Sequence, residues 1–412
     1  MSSPHGDVIY DWNALSPSTA RPRAVRLHDE TLRDGLQSPS VHDPDLVQKK
    51  TILRLLSRIG IDTADIGLPG AGDRAREDIR ALLEIIRDEH LPIQATVACR
   101  THAADIEPAI ALSRETGVPI EAMMFLGTSP IRLYAENWTE DRLEALTRDA
   151  MRMAARGGIG ATFVTEDTTR SHPRTLERLF TAAIDEGATC LILCDTCGHA
   201  TPEGVRALFG WTHDLLARLG VRERVTVDWH GHNDRGLGVI NTMAAIDAGA
   251  DRVHGTILGI GERVGNTSID QVMVNLKLAG LDDRDITALD ELVHLVSDAC
   301  HVPIDTRYPV FGDDAFRTGT GVHAAAVIKA KRKGDDWLAD RVYSSVPAQW
   351  VGRRQEISIG YMSGASNVRF WLEEHGVTAT DTVVDAILER AKRSSSMLTD
   401  ADILGVVAAV GA

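Results

Sequence analysis

The 412-residue sequence predicts an α/β protein, a (β/α)8 TIM barrel followed by small, mainly helical C-terminal subdomains. Three observations carry that expectation. Short apolar runs alternate with helical periods eight times between residues 25 and 280, about the span of 250 residues such a barrel needs. Glycine recurs where each helix must stop, in SRIGID, AARGGIG, DEGATC, ARLGVR and DAGADR. Finally, three groups with metal-binding chemistry (Arg33-Asp34-Gly35, His230-Gly231-His232 and Asn266) follow the first, seventh and eighth predicted strands. An open doubly wound sheet would hold those strands apart. Closure makes them neighbours and puts all three groups at C-terminal strand ends, where barrel enzymes keep their chemistry.

The strands are expected in order at 25–32 (VRLHDETL), 63–68 (TADIGL), 93–99 (IQATVAC) and 120–126 (IEAMMFL). Four more follow at 160–165 (GATFVT), 189–195 (TCLILCD), 224–230 (RVTVDWH) and 251–258 (DRVHGTIL). Amphipathic helical stretches lie between them, among them 47–59, 140–155 and 239–248. Thr201-Pro202 supplies a capping hydroxyl followed by proline at a first helical position. After residue 285 the rhythm changes to helical segments, the loop FGDDAFRTGTGVH and the basic run KAKRK. Helices are expected near 364–374, 380–392 and 399–409. The domain organisation that results is an N-terminal arm at 1–24, a catalytic barrel at 25–284, a linker or lid subdomain at 285–349 and a helical subdomain at 350–412.

Composition narrows the function. With 43% hydrophobic and 25% charged residues the chain reads as an ordinary globular protein. A formal net charge of −15 leaves no basic surplus to neutralise phosphates, which argues against nucleic-acid or anionic-membrane partners. The polar start MSSPHGDVIYDW has no apolar signal region, and a cytoplasmic protein is expected. The five cysteines do not form a secreted disulfide pattern. Cys190-x3-Cys194-x2-Cys197 has the spacing of a cluster-binding motif, but its first two members fall in the apolar run ATCLILCD and read as core.

His230 and His232 stand two apart on a strand and share a face, so they read as metal ligands rather than packed core residues. Asp34 is an oxygen donor and Asn266 an amide donor, completing a set suited to Mg²⁺, Mn²⁺ or Zn²⁺. Arg33 alone would be half of a surface ion pair; beside a cation it can hold a developing oxyanion. Asp167 and Asp195 fit loop hydrogen bonding, whereas Glu166 and Thr196, with Gln37, are the candidates to touch substrate. His323, in GTGVH, begins a helix outside the barrel, where a glycine-rich approach can carry a general base over a neighbouring site. Lys329, Lys331, Arg332 and Lys333 read as a solvated face.

Together these motifs resemble the Claisen-condensing synthases of the metal-dependent barrel superfamily: the 2-isopropylmalate, citramalate, homocitrate and Re-citrate synthases. LHDETLRDGLQ is similar to their first-strand motif, and TEDTTR, CDTCGHATP, WHGHND and GTILGIGERVGNT to those at strands 5 to 8. TGTGVH resembles the segment carrying a catalytic histidine, DRVYSSV places Tyr343 where the family has a catalytic tyrosine, and MSGASNVRFWL resembles the opening of its second C-terminal subdomain.

The resemblance implies a divalent metal on Asp34, His230, His232 and Asn266 that chelates a 2-oxo acid, with Arg33 stabilising the alkoxide. It further implies that His323, assisted by Tyr343, generates the acetyl-CoA enolate and that thioester hydrolysis follows. A homodimer whose active sites are completed in trans is expected. LGTSPIRLYAENW lacks the histidine-rich pattern many members carry after strand 4, and Met362 stands where histidine is frequent, so the resemblance does not choose the 2-oxo acid. The sequence stops where larger isopropylmalate synthases continue into a regulatory domain, which leads us to expect no leucine feedback of that type.

Two other readings compete. RDGLQ also resembles hydroxymethylglutaryl-CoA lyases, but LGIGERVG carries no cysteine where those lyases have a reactive one. A non-catalytic metal-binding barrel is the other, against which every proposed catalytic group is present.

Overall fold

In the computed structural model the described residues are 8–10, 12–15 and 25–411. The arm expected at 1–24 lies mostly outside them. All eight expected strands form: β1 (Arg26–Asp29), β2 (Thr63–Asp65), β3 (Gln94–Arg100), β4 (Ile120–Gly127), β5 (Gly160–Glu166), β6 (Cys190–Asp195), β7 (Thr226–Gly231) and β8 (Arg252–Gly255). They are parallel and close into a barrel, β1 pairing with both β2 and β8. Register is set by His28 opposite His254 and by Asp228 and Arg26 opposite Arg252.

Local chemistry accounts for the helices. The Asp45 side chain and Gln48 form a reciprocal cap at the start of Leu46–Arg58. Thr139 caps Glu140–Gly157, which ends where Gly158 turns left-handed at φ 76°. Thr201 caps Pro202–Arg218, accepting from the Gly204 N–H as the Thr-Pro pair led us to expect. Leu27, Val97, Phe163, Leu191, Val227 and Val253 point outward from the strands and are fully buried beneath the helical ring.

The first and last strands are shorter than expected, for a visible reason. After β1 the Asp29 carboxylate accepts from the Thr31 N–H at 2.9 Å and its hydroxyl at 2.8 Å, turning the chain over the barrel mouth. A 3₁₀ turn at Asp34–Gln37 follows. After β8 the chain bends at Ile257–Gly259, with Leu258 at φ 61°.

Inside, the floor is charged rather than aliphatic. Arg252, 3% exposed, donates to Asp228 at 2.5 Å and to both oxygens of Glu121 at 2.7 and 2.9 Å. Cys190 and Cys194 are free thiols buried on β6, as their apolar run implies.

Beyond the barrel, the helix Leu289–Cys300 buries Leu289, Leu292 and Val296 in the same apolar cluster as the strands. The helix Gly321–Arg332 packs Ala324, Val327 and Ile328 on Ile357 and Phe370. The three C-terminal helices, Ala365–Glu374, Asp381–Lys392 and Asp400–Gly411, form where expected around Val368, Leu372, Val384 and Ile387.

Candidate active site

At the C-terminal mouth a cavity of about 240 Å³ opens over the strands. Arg33, Asp34, Gln37, Glu166, Thr196, His230 and His232, all anticipated from sequence, line it together. Potential ligand atoms of Asp34, His230 and His232 lie within 4.8 Å of one another. Asp34 Oδ1 accepts from Arg33 Nη1 at 2.7 Å, while its buried Oδ2 has no hydrogen-bond partner and stands 3.8 Å from His232 Nε2. Asn266 faces His232 across an isolated bridge. Its amide nitrogen donates to the Ile260 carbonyl at 3.0 Å, and its buried Oδ1 is without a partner. Buried polar atoms are normally paired. The unpaired Asp34 oxygen and the two imidazoles form a donor set that fits a divalent cation, while Asn266 adjoins it through the bridge to His232 and does not line the cavity.

The electrostatics are consistent with that use. Burial, and then the neighbouring His230, push the His232 pKa down to about 4, so its ring is neutral at pH 7. Burial works against the charge on Asp34, but Arg33 and His230 outweigh it and hold the carboxyl below its ordinary range. Arg33 also donates from Nε to Asp65 at 2.7 Å, which fixes its guanidinium between the ends of β1 and β2. Glu166 is raised, first by burial and then, against Arg132, by Asp167 and Glu262. Thr196 accepts from the Asp167 N–H at 2.8 Å, tying the ends of β5 and β6.

His323 and Tyr343 are brought together with each other but not with the cavity. Their rings stack at 4.3 Å and 30°, both are exposed, and neither lines the barrel mouth of its own chain. The basic residues after His323 are only partly the solvated face expected. Arg332 pairs with Glu373 at 3.0 Å, while Lys331 lies 4.9 Å above the Phe370 ring.

Two features of the site escaped sequence reasoning. Met123, Phe125, Val164 and Ile192 form an apolar wall to the cavity. Glu30, buried, takes His230 Nδ1 at 2.7 Å. Both follow from the period-2 alternation of inward positions, which is polar at residues 28, 228, 230, 252 and 254 of β1, β7 and β8 and continues to residue 30 just past β1.

The closed barrel with its polar cluster at the C-terminal strand ends has the architecture of a barrel enzyme. More narrowly, the HMGL-like family pattern matches residues 24–296, and the chain belongs to that family. It is 32% identical over 375 residues to a probable 2-isopropylmalate synthase of Methanopyrus kandleri, covering 90% of this chain and 70% of the relative. It is also 32% identical to the homocitrate synthase AksA of the same organism, covering 90% and 88%. The (R)-citramalate synthase CimA of Methanocaldococcus jannaschii is 30% identical, covering 93% and 74%. Among solved structures the HMG-CoA lyase of Bacillus subtilis superposes with a TM-score of 0.58 at 18% identity, covering 70% of this chain and 98% of that one, a likeness of fold. Among the described residues no helix is long and apolar enough to cross a membrane.

Proposed function

We propose that the protein catalyses an acetyl-CoA-dependent Claisen condensation with a 2-oxo acid followed by thioester hydrolysis, in the manner of a 2-isopropylmalate synthase. The observation that carries this reading is the gathering of Asp34, with its unpaired buried Oδ2, and His230 and His232 beside Arg33, with Asn266 adjoining them at the bridge to His232. The named activities of the relatives, all condensing synthases, point the same way.

Asp34, His230, His232 and Asn266 would hold the cation, Mg²⁺, Mn²⁺ or Zn²⁺. When bound it supplies Lewis-acid polarisation of a carbonyl and orients the substrate. Arg33, fixed by Asp34 and Asp65, presents positive charge where the keto oxygen gains negative charge. Gln37, Glu166 and Thr196 supply polar contacts around the 2-oxo acid. Met123, Phe125, Val164 and Ile192 favour an aliphatic side chain on it, with 2-oxoisovalerate the first choice. His323 and Tyr343, stacked and exposed, act as the base and its assistant on acetyl-CoA in the cavity of a second copy, completing a homodimer.

The test is a panel of 2-oxo acids with acetyl-CoA, following released CoA with a thiol reagent. Release that depends on an aliphatic 2-oxo acid supports the reading. Cleavage of 3-hydroxy-3-methylglutaryl-CoA with no condensation replaces it by the lyase reaction.

A further inference from the structure

Glu30 is a buried carboxylate to which the reaction above gives no part, and it is surrounded by four nitrogenous side chains. Oε2 meets His230 Nδ1 at 2.7 Å, while Oε1 meets His254 Nδ1 at 3.2 Å, Arg33 Nη2 at 3.3 Å and His28 Nε2 at 3.6 Å. An ionised carboxylate only accepts hydrogen bonds, so the His230 nitrogen facing it must carry the hydrogen. In the neutral ring the lone pair is then left on Nε2, the only other nitrogen it has.

Glu30 is itself held from beneath. His254 turns its other nitrogen to Asp228 Oδ2 at 3.3 Å, Asp228 accepts from Arg252, and Arg252 forks onto Glu121. Glu121 in turn accepts from Thr162 at 2.6 Å. The result is a column in which carboxylates alternate with nitrogen-bearing side chains, running from the cavity down to the barrel floor, each member buried. The His28 ring, tilted 54° against His254 with centroids 4.3 Å apart, and the 2.7 Å contact of His28 Nδ1 with Thr63 close the column on its β2 side.

We infer that Glu30 is a positioning residue: it fixes the tautomer and orientation of His230, and the His254–Asp228–Arg252–Glu121 column keeps Glu30 where it must be to do so. This rests on the reading of His230 as a metal ligand and adds to it a cause for the site's affinity that lies outside the ligands. Carboxylates that accept from a ligating imidazole commonly change metal affinity by ~10–100-fold when lost.

The test is Co²⁺ binding to the full metal-free chain, by calorimetry and by the visible absorption that reports coordination geometry. Glu30→Gln, nearly isosteric, is expected to weaken binding by ~10–100-fold and to alter the absorption. Glu30→Asp keeps the charge but withdraws it from His230, and is expected to weaken binding likewise. Asp228→Asn, remote from the cation, is expected to shift affinity in the same direction by a smaller factor. A merely structural role would lower the melting temperature and leave affinity and spectrum alone. Parent-like affinity in Glu30→Gln, or in Glu30→Asp alone, overturns the positioning role provided His230→Ala still abolishes binding. Parent-like binding by His230→Ala overturns instead the ligand assignment beneath it. Should Glu30→Gln not fold, the Glu30→Asp and Asp228→Asn affinities decide by the same criteria.

Discussion

Asp34 Oδ2 and Asn266 Oδ1 are buried without partners, and a buried polar atom left unpaired costs about 1–3 kcal/mol. Under the proposed function a cation repays that cost, so ligand removal has two readouts. His230→Ala and His232→Ala are each expected to lose bound metal, measured by elemental analysis after dialysis, and with it turnover. Full activity in metal-free His232→Ala would remove the cation from the mechanism. The apolar wall makes a separate prediction at Phe125. In an apolar pocket one methylene is worth about 1–3 kcal/mol, so Phe125→Ala should move the ratio of kcat/KM for longer over shorter 2-oxo acids upward by ~10–200-fold. An unchanged ratio would place the substrate side chain elsewhere.

Among the elements, the loop from β8 to Asn266 and the charged barrel floor are the most exposed to perturbation. A Cβ at Gly265 (φ 94°) would sit 1.8 Å from the Gly259 carbonyl oxygen, so no side chain fits without moving the turn that presents Asn266. Gly265→Ala should weaken metal binding and lower the melting temperature together. On the floor, burial pushes Glu121 and Asp228 up, but Arg252 outweighs it and both carboxyls lie below their ordinary values. Their stabilisation is present above the unfolded-state values of about 4 and is lost as the pH falls below them. Arg252→Leu leaves two carboxylates buried without their cation, at a cost of ~3–5 kcal/mol at pH 7. With that cation gone their folded-state values rise, so the deficit, read from denaturation midpoints, should grow from pH 4 to pH 7. The same elements show what sequence makes legible. HGHND was readable because two histidines two apart on a strand share a face, and the helix stops were readable because glycine tolerates the left-handed turn. Glu30 shares the inward alternation of His28, but its partner was not readable: His254 meets it across the seam between β1 and β8, a contact that only closure of the barrel makes.

For the whole molecule, the consequential fact is that the stacked pair His323 and Tyr343 does not line the cavity of its own chain. Under the proposed dimer, mixing His323→Ala with Arg33→Ala subunits restores one intact site of two, so CoA release should recover from near zero to a sizeable fraction of the parent rate. Absence of recovery in verified mixed dimers would argue for catalysis within one chain. His323→Ala alone is expected to lower turnover ~10²–10⁴-fold with 2-oxo acid binding largely kept. Closure has another consequence, one of timing. Asp34 leaves the ribosome early and Asn266 late, and at about 5–20 residues per second roughly 10 to 50 s separate them. Throughout that interval the nascent chain offers a cation an incomplete set of donors, and the seam between β1 and β8 that joins them does not yet exist. A metal held by this ligand set is therefore acquired by the finished barrel, from whatever the surrounding pool then contains, and chain synthesis proceeds without its help.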